Sequence, residues 1–224
     1  MQHVPAPTDF VQHLNAGELA ALDALGRRER FARNDFVFRA GGPGRTVYFL
    51  RSGRVKIYQP SAPGREVILW FCLPGEIFGL AEVARGGGRS VSAVACEPCE
   101  VLCVAQEQFM AFVEERPRVA LLSMQVLSSR LRVLGEMHAN LVSDDVDTRI
   151  AKLILRLAAR HGVRRGTELV LALPLTHQEI ADMVGTTRQT VTSCLGNLKR
   201  RGVLAIDSHR LVIESEELLA SLAA

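Results

Sequence analysis

Residues 176–203, THQEIADMVGTTRQTVTSCLGNLKRRGV, contain two short helical patterns separated by a glycine. Thr176, followed three residues later by a glutamate, forms a capping box, which satisfies two backbone N–H groups at a helix start. Gly185 allows the left-handed backbone of a tight turn, and Thr187 is a good cap for a second helix. The stretch therefore predicts a helix-turn-helix, with its helices at residues 177–184 and about 188–201.

The second of these helices has one apolar and one polar face. Val191, Leu195 and Leu198 recur at helical spacing, which predicts that they are buried. The polar face carries arginine, glutamine and threonine, which contact base edges in a major groove, and its basic end suits phosphates. The residues predicted to contact DNA, including those at the two helix starts, are Thr176, His177, Thr187, Arg188, Gln189, Thr192, Ser193, Asn197 and Lys199.

A β-hairpin is predicted directly after the second helix. Residues 202–204 lead into a short strand, residues 208–210 form a turn, and residues 211–213 form the returning strand. A hairpin beside such a helix is a winged arrangement. Taken without the hairpin, the capped helix pair also suits an ordinary all-helical domain.

The charge distribution points to the same end of the chain. The 224 residues include 27 basic and 24 acidic ones, for a formal charge of +3. Residues 147–224 hold 11 basic and 8 acidic residues, whereas the preceding 146 hold 16 of each. The whole excess therefore lies with the predicted helix-turn-helix, where a polyanion would bind.

The sequence favours a cytoplasmic protein. No apolar run approaches the ~20 residues of a membrane span, and the first ten residues, MQHVPAPTDF, lack the order of a signal peptide. Five cysteines, an odd number in a chain without an export signal, favour reduced thiols over a disulfide framework. We therefore expect no membrane partner.

The region before residue 105 predicts an antiparallel β-roll. Residues 8–26 have a helical pattern, but from residue 31 onward short β-branched and aromatic segments alternate with glycine- and proline-rich turns. The predicted strands are residues 35–39, 46–51, 54–58, 66–72, 90–95 and 100–105. With the helices that follow, the fold class is α+β.

A long helix is predicted from Pro117 to about residue 141, after a short helix at 107–116. Apolar residues recur along it at alternating spacings of three and four, which is a coiled-coil seam. The seam residues, predicted to form a dimer contact, are Met124, Leu127, Leu131, Leu134, His138 and Leu141. A second apolar stripe can face the roll, and it consists of Val119, Leu122, Val126, Val133 and Met137. An ordinary buried helix is the alternative.

Three domains follow from these patterns. Residues 143–145 break the helical pattern and can cap the next helix, so they predict a hinge. The expected organisation is a sensory roll at residues 1–116, a dimerisation helix at 117–143 and a winged helix-turn-helix at 144–224.

Several separated motifs resemble the cyclic-AMP receptor protein/FNR (CRP/FNR) family of bacterial transcription regulators. Residues 47–55, VYFLRSGRV, resemble the strand-Gly-strand signature of its sensory roll, and residues 73–79, LPGEIFG, resemble the turn before its phosphate cassette. Residues 188–191, RQTV, resemble the start of its recognition helix. The resemblance covers essentially the whole chain and implies a homodimeric DNA-binding regulator.

The same resemblance places an effector pocket in the roll but disfavours cyclic AMP. Arg89 lies where nucleotide-binding members hold the phosphate, whereas Leu80 replaces their ribose-binding glutamate and Leu134-Gly135 replaces their adenine-binding Thr-Ser pair. Arg89 either holds another anion or anchors the roll through local carboxylates and carbonyls. The implied pocket residues are Gly79, Leu80, Arg89, Ser90, Leu134 and Gly135.

Other chemistries are less well supported. Cys96, Cys99 and Cys103 have imperfect spacing for a metal cluster, so structural or redox-sensing thiols are the alternatives. His138 can fix the register of the seam, ligate haem or sense pH. A cupin-like metalloenzyme needs clustered histidines within the strands, and there is no histidine between His13 and His138.

We therefore expect a regulator and not an enzyme, with no metal site, and the sequence assigns no cofactor. The expected partners are a second copy of the chain, a palindromic double-stranded DNA operator, RNA polymerase and an unidentified small-molecule or redox effector. Signal binding near Arg89 would change the seam and reorient both recognition helices through the hinge at Asp145.

Overall fold

The computed structural model describes residues 9–61, 64–83, 86–166, 168–207 and 210–223. The chain forms two compact units, Met1–Leu134 and Gly135–Ala224. The division falls within one long helix, so this helix contributes to both units. Within the described ranges, no helix is long and apolar enough to cross a membrane.

The N-terminal unit is an antiparallel β-roll, as predicted. Its two four-stranded sheets have the orders β1-β8-β3-β6 and β2-β7-β4-β5. The strands are β1 (Arg27–Phe31), β2 (Phe36–Phe38), β3 (Thr46–Ser52), β4 (Val55–Ser61), β5 (Arg65–Cys72), β6 (Ile77–Phe78), β7 (Ser92–Ala95) and β8 (Cys99–Ala105).

Strand β3 separates two hydrophobic cores. Its alternate residues Tyr48 and Leu50 lie in a core with residues of the second sheet, such as Ile57. Val47 and Phe49 lie in the other core, with residues of the flanking helices. Because both faces of β3 are buried, it has a continuous apolar run and no alternation with polar residues.

Helices cover the outer face of β3. They are a 3₁₀ turn (Val11–His13), α1 (Ala16–Leu25), α2 (Gln106–Glu114) and the long α3 (Pro117–Ser143). Val119, Leu122 and Val126 of α3 are buried in the same core as Phe49. These three residues belong to the second apolar stripe, so its predicted contact with the roll is confirmed over this part of α3.

The C-terminal unit has a helical core beside a third sheet, of order β11-β12-β10-β9. Its elements are α4 (Val146–His161), β9 (Gly162–Arg165), β10 (Glu168–Leu171), α5 (His177–Val184), α6 (Arg188–Arg200), β11 (Leu204–Asp207), β12 (Arg210–Ile213) and α7 (Glu216–Leu222). The predicted hairpin, β11–β12, thus lies within a larger sheet. Ser208 and His209 of its predicted turn lie outside the described residues.

Four elements were not predicted. Strands β1 and β9 are rich in arginine and occupy the edges of their sheets, so they bury few apolar side chains. Strand β6 has only two residues. Helix α7 begins at Ser215, whose hydroxyl accepts a hydrogen bond from the backbone of Leu218. This serine, followed by two glutamates, is a helix-start signal that sequence reasoning missed.

Candidate nucleic-acid interface

The helix pair α5–α6 has the predicted bounds to within one residue. Thr176 and Glu179 form a complete capping box at the start of α5. Gly185 has a left-handed backbone, with φ 72° and ψ 49°, and a Cβ atom there would approach Leu141 at 3.2 Å. Thr187 caps α6 through the backbone N–H of Thr190. The turn between the helices is therefore specified by the local sequence.

Helix α6 buries one face and exposes the other. Its buried residues are Val191, Cys194, Leu195 and Leu198. The exposed face begins in a shallow, open depression, lined by Thr187, Arg188, Gln189, Thr192 and Ser193. All five were predicted to contact DNA, so the structure brings them together on one surface.

Two of the predicted threonines use their hydroxyl groups for capping. Oγ1 of Thr176 accepts a hydrogen bond from the backbone N of Glu179 at 3.1 Å. Oγ1 of Thr187 accepts one from the backbone N of Thr190 at 3.2 Å and lies 2.9 Å from that residue's hydroxyl. These hydroxyls fix the helix starts, which leaves them less available to DNA.

His177 connects the first turn of α5 to the exposed face of α6. Its Nδ1 lies 2.8 Å from Oγ1 of Thr192. The same Oγ1 lies 2.9 Å from the backbone carbonyl oxygen of Arg188, one turn earlier. His177 therefore contacts a residue of the predicted recognition face.

The remaining predicted residues are exposed, and their side chains have no hydrogen-bond partner in the described part of the chain. They are Arg188, Gln189, Ser193, Asn197 and Lys199. The helix ends with Lys199 and Arg200 in its last turn, followed by Arg201. Free amide, hydroxyl and guanidinium groups on a rigid helix suit base contacts, and the basic end suits phosphates.

Arg149 braces this helix pair and was not predicted. Its Nε donates to the carbonyl oxygen of Val184 at 3.0 Å, and its Nη1 donates to that of Asp144 at 2.8 Å. Asp145 caps α4 by accepting from the backbone N of Thr148, as predicted. Arg149 thus ties the predicted hinge to the last turn of α5. The only sequence signal was a basic residue in the first turn of α4.

In the roll, Arg89 is buried; both terminal nitrogens of its guanidinium donate hydrogen bonds to protein groups, whereas its Nε has no partner among the described residues. Its Nη1 donates to Glu82 at 2.5 Å and to the carbonyl oxygen of Gly79 at 3.0 Å, and its Nη2 donates to the carbonyl oxygen of Thr46. The Arg89 and Glu82 side chains are 1% and 8% exposed. The guanidinium also lies 4.4 Å from the Phe38 ring centroid. In this structure Arg89 therefore anchors the roll through a local carboxylate and local carbonyl groups, which is one of the two roles predicted for it.

The other predicted pocket residues lie at different depths. Gly79 has φ 78°, and a Cβ atom there would approach Nη1 of Arg89 at 3.1 Å. Leu80 is buried in the core beneath the helices, whereas Ser90 is exposed. On α3, Leu134 is half-buried and Gly135 is exposed. Sequence reasoning missed Glu82, although a carboxylate seven residues before Arg89 was a visible signal.

Both units match known protein families. Residues 28–116 match the cyclic nucleotide-binding domain, and residues 148–222 match the Crp-like helix-turn-helix domain. A CRP-like cAMP-activated global transcriptional regulator from Mycobacterium tuberculosis is 31% identical over 220 residues, which cover 98% of each chain. This chain belongs to the CRP/FNR family of transcription regulators.

Relatives of this CRP/FNR regulator have names that refer to different signals. The global nitrogen regulator of Nostoc sp. is 31% identical over 194 residues, covering 86% of this chain and 87% of its own. A solved CooA variant from Carboxydothermus hydrogenoformans superposes with a TM-score of 0.84 at 26% identity, covering 96% of this chain and 95% of its own. The family assignment thus establishes a transcription regulator with a DNA-binding helix-turn-helix, whereas the names of two relatives refer to different signals, cAMP and nitrogen.

In this regulator, most of the predicted α3 seam is exposed. Met124, Leu127, Leu131 and Leu141 are large apolar residues of 40 to 73% exposure, and His138 is also exposed. Leu134 is half-buried. A row of exposed apolar side chains on one helix is unusual for a monomer and typical of a protein interface.

Three of the five cysteines, Cys99, Cys103 and Cys194, are poor candidates for redox chemistry. Burial, with a contribution from Glu29, raises the pKa of Cys103 to about 12. Burial and a hydrogen bond to Asp147 raise the pKa of Cys194 to about 12, and burial also raises that of Cys99. A high pKa removes the reactive thiolate. The described ranges contain no group of three residues placed to hold a metal ion.

Proposed function

We propose that this regulator is a homodimer that binds a palindromic DNA operator through α6 of each protomer. The observation that supports this most directly is the free polar face of α6, where Arg188, Gln189, Ser193 and Asn197 lie exposed on a helix whose start is capped by Thr187. Rigid helices position base-contacting groups more accurately than loops do.

Dimerisation through α3 would cover its exposed seam. Two-fold symmetry then places the two α6 helices on half-sites about one helical turn apart, so the operator is a palindrome. Arg188, at the first position of α6, is placed for a bidentate contact with guanine, worth about 1 to 3 kcal/mol of discrimination. Gln189 both donates and accepts, so it suits adenine at the neighbouring step.

The signal acts through the roll, and it is not cyclic AMP. Leu80 offers no carboxylate to a ribose hydroxyl, and Glu82 already neutralises Arg89. The hinge at Asp145 transmits the state of the roll and seam to α6, and RNA polymerase receives the output. The protein is cytoplasmic, has no metal site and has no catalytic role.

Selection from randomised duplex DNA tests this proposal. Wild-type protein should enrich a palindrome with a guanine in each half-site. Arg188→Ala should relax the preference at that guanine, whereas Lys199→Ala should weaken all sequences alike and lower the salt dependence by about one unit. An unchanged sequence preference in Arg188→Ala, or no enriched sequence with wild type, would count against recognition through α6.

A further inference from the structure

The hydroxyl of Thr192 is engaged inside the protein. A threonine hydroxyl has one proton to donate and two lone pairs that can accept. Oγ1 of Thr192 lies 2.9 Å from the carbonyl oxygen of Arg188 and 2.8 Å from Nδ1 of His177. A carbonyl oxygen can only accept, and a histidine nitrogen either accepts or donates.

The proton of this hydroxyl therefore remains within the protein for either tautomer of His177. If Nδ1 carries a hydrogen, it donates to Oγ1 while the hydroxyl donates to Arg188. If Nδ1 carries no hydrogen, the hydroxyl of Thr192 donates either to Nδ1 or to the carbonyl oxygen of Arg188. In both cases Thr192 cannot donate to the acceptors of a base edge, which are N7 and O6 of guanine, N7 of adenine and O4 of thymine.

Because its proton is held inside the protein, Thr192 presents its methyl group and an accepting lone pair of Oγ1 to DNA. The residue is exposed and lines the depression on α6 with Gln189 and Ser193. A β-branched side chain has few χ1 rotamers in a helix, so two hydrogen bonds to Oγ1 also fix its methyl group. In a major groove, the apolar feature that such a methyl group can contact is the 5-methyl of thymine.

We propose that Thr192 determines specificity by contacting the 5-methyl group of a pyrimidine, and that His177 is the positioning residue that holds its hydroxyl. This inference rests on the proposed recognition of DNA by α6. The base recognised by Thr192 is thymine or 5-methylcytosine, because both carry a methyl group at C5, whereas uracil and cytosine do not. Thr187 does not duplicate the role, because it is the cap of α6.

The test uses operators selected from randomised DNA by wild-type protein. Each thymidine is replaced by deoxyuridine at symmetric positions of both half-sites, and dissociation constants are measured by fluorescence anisotropy at one salt concentration. At one position the loss of the methyl group should weaken binding about fourfold per half-site, or about fifteenfold for both. If cytosine replaces thymine there, its 5-methylation should strengthen binding.

Three variants separate the methyl group from the hydroxyl. Thr192→Val keeps the methyl and should keep the thymine-to-uracil ratio, whereas Thr192→Ser keeps the hydroxyl and should bind both operators equally. His177→Ala should lower the ratio, because Thr192 is then free to change rotamer. Ser221→Ala, at an exposed position of α7, is the control and should keep the wild-type ratio.

The outcomes distinguish this inference from the proposed function. If no DNA sequence is enriched, the proposed recognition of an operator fails. If an operator is enriched but every uracil substitution is neutral, Thr192 does not contact a methyl group. The inference is also overturned if Thr192→Val loses the preference for thymine, because the hydroxyl would then determine that preference. It is likewise overturned if Thr192→Ser, which lacks the methyl group, retains the preference for thymine.

Discussion

Arg89 has its charge balanced from within the roll. Glu82 lies 2.5 Å from it, two backbone carbonyls accept further hydrogen bonds, and Phe38 covers one face of the guanidinium. Gly44 makes room for this arrangement, since a Cβ atom there would lie 2.6 Å from Cβ of Glu82. Burying such a pair has a large desolvation cost, so replacing both partners should change stability little. Removing only one partner should destabilise the roll strongly, because it leaves the other charge buried and unpaired.

We expect Glu82→Ala to lower the free energy of unfolding of the roll by about 3 to 5 kcal/mol, because it leaves a buried guanidinium without its counter-ion. Urea denaturation measures this loss. Acetate, which can replace the missing carboxylate, should recover part of it in the variant and have no such effect on wild type. Glu114→Ala, at an exposed position, is the control and should change stability by less than about 0.5 kcal/mol. A loss below about 1 kcal/mol for Glu82→Ala would show that the pair is not a structural anchor.

At the scale of elements, most helices and strands were predictable, but helix α7 and the edge strands β1, β6 and β9 were not. Helix α5 has the predicted bounds because its cap and its glycine stop are local features of the chain. Strand β1, RRERF, has no apolar alternation; it pairs with β8 through the backbone, and exposed cross-strand ion pairs such as that of Arg30 with Glu100 accompany the pairing. These partners are 70 residues apart, so no local pattern reveals them.

The candidate site was predictable to a similar extent. The exposed face of α6 follows from helical periodicity and was predicted residue by residue. The contact of His177 with Thr192 was not predicted, because it depends on the angle between α5 and α6 and on two rotamers. Likewise, the partners of Arg89 depend on how the roll folds back on itself.

The α3 seam supports a prediction about assembly. Leu131 is 73% exposed in the single chain, so Leu131→Glu should leave the fold of a protomer intact while it places a charge in the proposed dimer contact. Sedimentation should show monomers, and operator binding should be lost because one half-site provides too few contacts. Gln125→Glu adds the same charge on another face of α3 and should remain dimeric. A dimeric Leu131→Glu protein would place the interface elsewhere.

The end of α4 supports a prediction about pH. Burial, with a smaller contribution from Arg160, lowers the pKa of His161 from 6.5 to about 4. The folded state therefore favours the neutral imidazole, so this contribution to stability is present above pH 6.5 and is lost as pH falls through about 4. His161→Gln should show a smaller loss of stability than wild type between these pH values in urea denaturation. Parallel pH profiles for the two proteins would contradict the assignment.

For the whole molecule, membership of the CRP/FNR family determines the architecture but leaves the signal open. The relatives include a regulator named as cAMP-activated and another named for nitrogen, each 31% identical to this chain. A fold therefore does not specify an effector, and residues within the roll must decide it. We propose that Leu80, Glu82 and Arg89 are among those residues here.

We expect that cyclic AMP, even at millimolar concentration, neither raises the melting temperature of the regulator nor strengthens operator binding. A buried ribose hydroxyl facing Leu80 would lose its partner, which costs about 1 to 3 kcal/mol, or ten- to a hundredfold in affinity. The phosphate would also have to compete with Glu82 for Arg89. Calorimetry with wild type and with Glu82→Gln measures both effects. If only Glu82→Gln binds cyclic AMP, Glu82 is the main obstacle to the nucleotide. If neither protein binds it, Leu80 is sufficient to exclude the nucleotide. A micromolar dissociation constant for wild type would mean that Glu82 gives way to the nucleotide, and that this regulator resembles its cAMP-activated relative in effector as well as in fold.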